Sequence, residues 1–442
     1  MTKPFIVVQG PVATRSGYGN HTRDLVTALI KSDKYEIQIV SLPWGSTPMT
    51  ALDPNNKDHQ EIDKRIARQN ITQQPDIFIQ VSVPNEFKKI GKYNIGVTAG
   101  IETTAVSPEF IQGANNMDLL IVTSEHSKKS FTDVSYDTHN EKTKEKIGTL
   151  TLDVPVQVLF EGLDLDVYTK TSAILPAVKD ELSNIHNDFC YLFVGHWLKG
   201  DLGQDRKDVG MMIKTFCESF KRKSKHNKPA LILKTSFATF SIIDRDMIMN
   251  KIQQIIEPYG NDAPDIYLLH GDLSDTEMNS LYNHPKIKAM VSFTKGEGFG
   301  RPLLEFSITG KPVVATNWSG HIDFLNKDYC TLLPGQLTDI HDSAADKFLM
   351  KGTKWFTADY GYASQVIQDI MKNYKQYLSK SRKQTQYVKD NFTLSKMSDL
   401  FCKLVDKGLE GVPQHVGLKL PKLKKVESTS APKLPKLKKV NT

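Results

Sequence analysis

Short apolar runs alternate with stretches that favour a helix along most of this 442-residue chain, in two successive series. Parallel strands need a crossover connection, usually a helix, so this alternation predicts doubly wound α/β domains. The chain is also longer than a domain with a single hydrophobic core usually is, which favours two domains and a tail. The strand candidates of the first series are Phe5 to Gln9, Ile37 to Ser41, Ile77 to Val81, Tyr93 to Thr98, Leu119 to Thr123 and Val154 to Val158.

The second series follows a polar stretch, Thr169 to Asn187, which is predicted to cross between the domains. Two such domains leave a cleft between them, where a two-substrate transfer can be shielded from water. We expect a first domain over residues 1–175, a second over 185–385, a helix in 386–411 that packs back on the first domain, and a tail over 412–442. The early elements of the second series are strands at Tyr191 to Gly195, Ala230 to Lys234 and Ile266 to His270, with helices at Val209 to Lys221 and Asp244 to Glu257.

A glycine-rich loop lies between two later strand candidates, Ala289 to Thr294 and Val313 to Thr316. Lys295 to Arg301 forms the loop, Pro302 suits the first position of a helix, and Gly310 can close that helix. In open α/β sheets such loops lie at the carboxyl edge of the strands, where ligands bind. The free N–H groups of the first helical turn favour anionic oxygens.

Two glutamates belong to this unit, Glu297 in the loop and Glu305 one turn into the helix. Two acceptor side chains beside phosphate-binding amides suit a ligand that carries both hydroxyls and phosphates, and a sugar nucleotide is such a ligand. For either glutamate alone, the alternative is that Glu305 complements the helix dipole and Glu297 is a solvated loop residue. Their occurrence together in one strand–loop–helix unit favours the nucleotide-sugar interpretation.

The first series opens with another glycine loop, Gly10 to Asn20, before a helix predicted from about His21 to Lys31. Gly17 and Gly19 have no side chain, so a phosphate or a sugar ring could approach the backbone closely there. A lone glycine loop is a weak signal, and a plain strand-to-helix turn is the alternative.

Composition narrows the class of protein. Apolar residues make up 39% and charged residues 24% of the chain, as in soluble globular proteins. No apolar stretch is long enough to span a bilayer, and the start MTKPFIVVQG lacks the layout of a signal peptide. The four cysteines have neither metal-site nor disulfide spacing, so we expect reduced thiols and a cytoplasmic location. Asp164 and Asp166 are expected to close a turn, and neither a metal nor a cofactor is predicted.

The end of the chain differs from the rest in composition. KLPKLKKV occurs at Lys419 to Val426 and again at Lys433 to Val440. From His415 onward there are eight lysines and one acidic residue. The rest of the chain has 57 − 8 = 49 basic and 50 − 1 = 49 acidic residues, so the whole net charge of +7 belongs to this end. Prolines and lysines without aromatics cannot bury a core, so we predict a disordered tail. Residues 416–442 are either a solvated tail or a tether for nucleic acid or an anionic surface.

Several segments occur in the order found in GT-B glycosyltransferases, and the chain up to about Asp406 resembles the retaining enzymes of family four. The most specific segment is E-G-F-G-x-x-x-x-E, from Glu297 to Glu305. The resemblance implies the GT-B architecture, in which two Rossmann-like doubly wound domains face a cleft. The supporting segments are SGYGNHTR, DLLIVTSEHSKKSF, VPVQVLFEGLDLDVY, YLFVGHWLKGDLGQDRKD and LHGDLSDTEMNSLY.

The resemblance also implies roles for individual residues. Glu297 would hold hydroxyls of the donor sugar, and Glu305 would hold the ribose of the nucleotide. The amides of Gly298, Phe299, Gly300 and Arg301 would cradle the phosphates. Arg206 and Lys207 match the basic residues that the family places on the diphosphate, and Lys234 is a second candidate for that role. The alternative for these three cations is surface solvation.

One segment departs from the common family pattern. Many relatives place a histidine of the first domain near the donor sugar, and GVTAGIETTAVSPEF at Gly96 to Phe110 has none. It resembles the variant in which a glutamate, here Glu102, occupies that region, although the usual neighbouring aromatic is missing. A surface loop glutamate is the alternative.

The predicted activity is the retaining transfer of a sugar from a nucleoside diphosphate donor to an acceptor hydroxyl, with a glycan or a lipid-linked glycan as the expected acceptor. A nucleic-acid base is the second acceptor that we consider, because of the basic tail. The alternatives to a transferase are a sugar-nucleotide epimerase or phosphorylase, and a non-catalytic protein that binds a sugar nucleotide and a polyanion.

Overall fold

The computed structural model describes residues 3–140, 142–222, 228–237 and 239–412. Both KLPKLKKV repeats lie outside the described residues, so the disordered tail and its role as a tether stay predictions. Among the described residues, no helix combines the length and the apolar character needed to cross a bilayer. Cys190, Cys217, Cys330 and Cys402 are unpaired, as the spacing of the cysteines predicted.

The first sheet contains six parallel strands in the order β2-β1-β3-β4-β5-β8. A separate antiparallel hairpin pairs β6 with β7. The elements of this first domain are β1 (Phe5–Gly10), α1 (Gly17–Ser32), β2 (Glu36–Ser41), α2 (Lys57–Asp63), β3 (Ile77–Val81), β4 (Tyr93–Thr98), α3 (Pro108–Ala114), β5 (Leu119–Val122), α4 (Glu125–Thr132), β6 (Tyr136–His139), β7 (Lys146–Leu150) and β8 (Val156–Val158).

The second sheet repeats this architecture, with six parallel strands in the order β11-β10-β9-β12-β13-β14. The remaining elements are α5 (Pro176–Glu181), β9 (Cys190–Val194), α6 (Val209–Phe220), β10 (Ala230–Lys234), α7 (Ile242–Ile256), β11 (Ile266–Leu269), α8 (Asp275–Asn283), β12 (Ile287–Val291), α9 (Arg301–Ser307), β13 (Val313–Thr316), β14 (Thr331–Leu333), β15 (Gly335–Asp339), β16 (Lys354–Ala358), α10 (Tyr360–Lys372), α11 (Tyr374–Asn391) and α12 (Leu394–Glu410).

The two doubly wound domains predicted from the alternating pattern are therefore present. The predicted helix at His21 begins four residues earlier, at Gly17, because the Ser16 hydroxyl caps it by accepting a hydrogen bond from the Gly19 amide. The polar stretch 169–187 is not a free crossing, because it contains α5 and is bonded to α8. The Thr169 amide donates to Asn279, and the Leu175 amide donates to Ser280.

The last helix returns the chain to the first domain. Met397, Phe401 and Val405 on α12 are buried in the same core as the strands β1 and β3. The boundary expected at residue 385 falls inside α11, which packs against α9 of the second domain. The chain crosses back just after α11, where the Leu163 and Thr393 backbones form an isolated bridge. This crossing ties the two domains together a second time.

The strand order places a topological switch point in the second sheet between β9 and β12, because β9 lies between β10 and β12. Ligands of open α/β sheets bind outside the carboxyl ends of the strands at such points. The loop after β9 carries Arg206 and Lys207, and the loop after β12 carries Glu297. The fold therefore brings together the basic loop and the glutamate loop, which are about ninety residues apart in sequence.

Candidate active site

Glu297 lies at the centre of a buried charge cluster, and its own backbone is held on both sides. Its amide donates to the Ser319 hydroxyl over 2.9 Å, and its carbonyl accepts from the Gly320 amide over 2.9 Å. Gly320 must be glycine here, since a Cβ would lie 2.0 Å from the Gly298 carbonyl oxygen. The segment after β13 therefore fixes the position of the glutamate loop.

The two cations predicted for the diphosphate contact this glutamate. The Lys207 Nζ pairs with the Glu297 Oε1, and the Arg206 Nη1 lies 3.6 Å from the Oε2. Burial opposes ionisation of Glu297, but the charges of Lys207 and Arg206 outweigh it and lower the pKa to about 2. The carboxylate is therefore ionised at neutral pH.

Glu102 of the first domain completes the cluster from across the cleft. Its Oε1 lies 3.1 Å from the Arg206 Nη1, which also donates to the Gly296 carbonyl over 3.1 Å. The backbones of Gly296 and Glu102 also pack closely, since a Cβ added to Gly296 would lie 2.2 Å from the Glu102 carbonyl oxygen. Glu102 is therefore paired within the interdomain charge cluster, and its part in the site stays a prediction.

Gly298 is the point where the glycine loop docks on the first domain. Its carbonyl oxygen accepts from the Ser124 hydroxyl over 2.6 Å and from the Thr123 hydroxyl over 3.2 Å. The Ser127 hydroxyl donates to the Ala99 carbonyl over 2.7 Å, and its oxygen lies 3.4 Å from the Gly298 oxygen. The absence of a side chain at Gly298 thus has a clear structural use, which is close packing between the domains.

Replacing Gly298 with Ala is expected to disturb this docking, because the new Cβ would lie 2.5 Å from the Ala99 carbonyl oxygen. Displacing the loop by about 1 Å costs on the order of 100-fold in a reaction that depends on exact placement of groups. We expect nucleotide release from a donor to fall by about that factor. The Gly411→Ala variant is the control, since its Cβ would meet no atom of the described residues nearer than 3.6 Å. Equal rates for both variants would contradict the assignment.

Arg301 forms a second buried cluster through its side chain, which the sequence did not predict. The Nη1 lies 2.6 Å from Asp24 of α1 and 3.8 Å from Glu161, and the Nε donates to Glu305 over 3.0 Å. The other Glu305 oxygen accepts from the Tyr282 hydroxyl over 3.0 Å. Arg301 thus links the second domain to the first through Asp24 and Glu161, while Glu305 lies on its own helix.

The combined negative charge of these three carboxylates, when all are ionised, exceeds the single positive charge of the Arg301 guanidinium that contacts them. Burial raises the pKa of Glu161 to about 7, against the opposing effect of Arg301. Burial likewise raises the pKa of Glu305 to about 7. A carboxylate that is buried among other carboxylates holds a proton more tightly than a carboxylate exposed to water does. At neutral pH this cluster is therefore partly protonated.

A pH dependence of stability follows from Glu161. The pKa of Glu161 is about 7 in the folded chain and 4.5 in the unfolded chain. The folded state therefore holds this proton more tightly, and the resulting stabilisation is complete below pH 4.5 and is lost as the pH rises through 7. We expect the free energy of unfolding to fall by on the order of 2 kcal/mol between pH 5 and pH 8 from this group. Denaturant titrations of Glu161→Gln should show a smaller fall than the wild type. An unchanged pH slope would sink the prediction, and the exposed Glu181→Gln is the control.

The other residues predicted to bind the donor lie around these clusters. Phe299 is buried and packs on Phe324, with ring centroids 4.9 Å apart. Gly300 precedes α9 in the left-handed region at φ 99°, and no side chain among the residues that the structure describes caps that helix. The Lys234 Nζ donates to the Gly271 carbonyl over 2.6 Å, and none of the described contacts joins it to Glu297.

The glycines of the opening loop differ from each other. A Cβ on Gly19 would lie 2.2 Å from the Thr14 carbonyl oxygen, so this glycine allows the loop to pack on itself. Gly17 faces open space, since no atom in the described part of the chain lies within 4 Å of a Cβ there. Loop packing is therefore enough to explain the glycine at position 19. At Gly17 the close approach of a ligand stays a prediction.

Asp164 and Asp166 close a turn, as expected, since the Asp166 amide donates to the Asp164 carboxylate over 2.9 Å. Among the described residues, no group of three or more histidine, cysteine, aspartate or glutamate side chains has the arrangement of a metal site.

Solved structures with the same architecture identify the fold. The chain matches no protein-family profile, and no curated protein is significantly similar to it in sequence. Sucrose-phosphate synthase from Thermosynechococcus elongatus is similar with a TM-score of 0.61 at 12% identity, over 92% of this chain and 99% of that one. A glycosyltransferase from Rickettsia africae is similar with a TM-score of 0.60 at 12% identity, over 93% and 100% of the two chains. The chain has the GT-B fold.

Another similar structure is Anabaena HepE in complex with UDP and glucose, with a TM-score of 0.56 at 13% identity over 91% of this chain and 100% of that chain. The GT-B architecture inferred from the order of the motifs is therefore confirmed. In this fold the carboxyl edges of the two sheets face one cleft, and the cluster of Glu297, Arg206, Lys207 and Glu102 lies between them.

Several residues around the cleft were not found from the sequence. Ser319 holds the Glu297 loop, Tyr282 bonds to Glu305, and Lys295 forms a buried pair with Asp208. The only sequence signal for Lys295 is a lysine within an otherwise small and apolar run, VSFTKGEGFG. Such a lysine is rarely buried without a partner, so its presence next to the motif could have predicted one.

Proposed function

We propose that this chain is a retaining glycosyltransferase that moves a sugar from a nucleoside diphosphate sugar to an acceptor hydroxyl. The observation that carries the proposal is the buried cluster at the interdomain cleft, in which Glu297 contacts Arg206 and Lys207 while Glu102 reaches Arg206 from the other domain. The similarity to structures that hold UDP, UDP-glucose or UDP and glucose supports the choice of donor class.

The two cations would stabilise the leaving group. As the bond between the anomeric carbon and the phosphate oxygen breaks, negative charge builds up on the diphosphate. Arg206 and Lys207 are fixed in a buried site, where such charge is stabilised most strongly. The carboxylates of Glu297 and Glu102 pair with these two cations in the structure. Donor binding would therefore exchange these carboxylates for phosphate oxygens.

The two motif glutamates would hold hydroxyl groups of the donor. Glu297 is ionised and accepts hydrogen bonds, which suits the sugar hydroxyls nearest the diphosphate. Glu305 already accepts from Arg301 and Tyr282, one bond on each oxygen. A carboxylate oxygen can accept two bonds, so the same group can also accept from the ribose.

The transfer step needs no nucleophile from the protein. The electrons of the breaking bond remain on the diphosphate, and the acceptor oxygen forms the new bond to the oxocarbenium-like carbon. Attack from the face of the leaving group allows the departing phosphate oxygen to take the proton of the acceptor. The configuration at the anomeric carbon is then retained.

A panel of nucleoside diphosphate sugars tests this proposal. Transferases leak slowly to water, so wild-type protein incubated with the correct donor should release nucleoside diphosphate even without an acceptor. A binding protein would release none, and an epimerase would form an isomeric sugar nucleotide. A phosphorylase would require added phosphate. Release that depends on phosphate, or isomer formation without release, would replace the proposal with one of these alternatives.

The class of acceptor is a separate proposal. A glycan or lipid-linked glycan hydroxyl is the ordinary expectation, and a nucleic-acid base is the alternative raised by the tail of eight lysines. The cytoplasmic location stays a prediction. Removing residues 416–442 is expected to leave donor turnover unchanged while it weakens salt-sensitive DNA binding. Equal retention of both forms on DNA in low salt would rule out the tether.

A further inference from the structure

A buried ion pair connects the two loops that carry the charge cluster. The Lys295 Nζ lies 3.4 Å from the Asp208 Oδ2, and the two side chains are 1% and 0% exposed. Asp208 directly follows Arg206 and Lys207, and Lys295 comes two residues before Glu297. The pair therefore lies where the basic loop and the glutamate loop meet.

Each member of the pair is also anchored by a neutral partner. The Tyr360 hydroxyl donates to the Asp208 Oδ2 over 2.6 Å, and the Lys295 Nζ donates to the Thr357 hydroxyl over 2.9 Å. Thr357 in turn bonds to Thr338 over 2.7 Å across the β15–β16 hairpin. The hairpin and α10 thus hold the pair from outside the cleft.

Backbone hydrogen bonds also join the two loops to each other and to the hairpin. The Lys295 amide donates to the Arg206 carbonyl over 2.8 Å, and the Lys295 carbonyl accepts from the Phe356 amide over 2.9 Å. Asp208 adopts the left-handed region at φ 53°, where a residue other than glycine is uncommon. The chain therefore turns sharply directly after the two cations.

Burying such a pair is a poor route to stability, because hydrophobic residues of similar size often serve as well. A role in placing the adjacent loops explains why the pair lies here. We propose that Lys295 and Asp208 are positioning residues, which hold Arg206 and Lys207 at a fixed distance from Glu297. The inference rests on the proposed function, since it assumes that the diphosphate binds to these two cations.

Nucleotide affinity measured on the full chain tests the proposal. The variants are Lys295→Met, Asp208→Asn and the double variant, with UDP, GDP and ADP as probes in calorimetry. Asn tolerates the left-handed backbone at position 208. Lys295→Met should lower the thermal midpoint, because it leaves a buried carboxylate unpaired. We expect the double variant to recover most of that midpoint but to bind the nucleotide at least about 10-fold more weakly than the wild type.

The contrast between stability and affinity separates a positioning role from a merely structural one. If affinity recovers together with the thermal midpoint in the double variant, the pair is structural and the proposal is overturned. Lys286→Met is the matched control, because the Lys286 Nζ donates only to the Leu182 and Ile185 carbonyls in the described part of the second domain. This variant should bind nucleotide as the wild type does.

Hydrogen exchange gives a readout that needs no ligand. If wild-type protein binds none of the three nucleotides, the donor assignment fails while the positioning of the loops is still measurable. In the double variant, amide exchange should rise in segments 199–207 and 296–300 and remain unchanged in β1 and β3 of the first domain. Wild-type exchange in both loop segments would overturn the proposal even if nucleotide binding were confirmed.

Discussion

Glu297→Gln is expected to lower nucleotide release from the donor by about 1,000-fold. Glu297 is an ionised acceptor held by two backbone hydrogen bonds, and it contacts both predicted diphosphate cations. Gln has nearly the same shape, but it carries no charge and has only one acceptor oxygen. The loss should appear mainly in kcat, because the hydroxyl contacts strengthen as the sugar becomes cationic.

The measurement is steady-state nucleotide release at saturating donor. Glu181→Gln, an exposed glutamate at the end of α5, is the matched control and should keep the wild-type rate. The thermal midpoint of Glu297→Gln should also be recorded, so that unfolding is not mistaken for lost chemistry. A folded Glu297→Gln protein with more than a tenth of the wild-type rate would remove Glu297 from the site.

Arg206→Ala is expected to lower kcat by about 100-fold and to weaken binding of the released nucleoside diphosphate. Its guanidinium lies between Glu297 and Glu102 and donates to the Gly296 carbonyl, so its removal takes a fixed positive charge away from the leaving group. Lys207 stays in place and accounts for the remaining activity. Added guanidinium ion should restore part of the rate, because it can occupy the space of the lost group.

Arg245→Ala is the control for Arg206→Ala. Arg245 is an exposed arginine of the same domain that pairs with Asp246, and its loss should change neither rate nor affinity. If Arg206→Ala binds the nucleoside diphosphate as tightly as the wild type and guanidinium has no effect, the cation does not contact the diphosphate. The cluster would then serve domain docking alone.

Much of the fold could be predicted from the sequence because parallel strands buried on both faces appear as short apolar runs. The predicted Ile77–Val81, Tyr93–Thr98, Ala230–Lys234 and Val313–Thr316 strands have the predicted limits. The β15–β16 hairpin was not predicted, since its outer strand GQLTD is mostly exposed and gives no apolar signal. The start of α1 was missed because its cap depends on one side-chain hydrogen bond.

The site could be predicted only where a residue belongs to a local pattern. Glu297 and Glu305 follow from one loop and its helix, and Arg206 and Lys207 follow from the order of the motifs. The side-chain partners of Arg301 could not be predicted, because Asp24 and Glu161 come from distant parts of the chain and meet it only through the domain interface. The use of Gly298 as an interdomain contact has the same origin.

Real-time NMR of a donor labelled with ¹³C at the anomeric carbon would follow the transfer reaction itself. Wild-type protein and Glu297→Gln would be incubated with the donor found in the panel, and the first-formed anomer would be recorded before it mutarotates. We expect the labelled carbon to leave the diphosphate with its configuration retained, and Glu297→Gln to slow this reaction about 1,000-fold. A labelled carbon that stays on the nucleotide, or a first product of inverted configuration, would contradict this expectation.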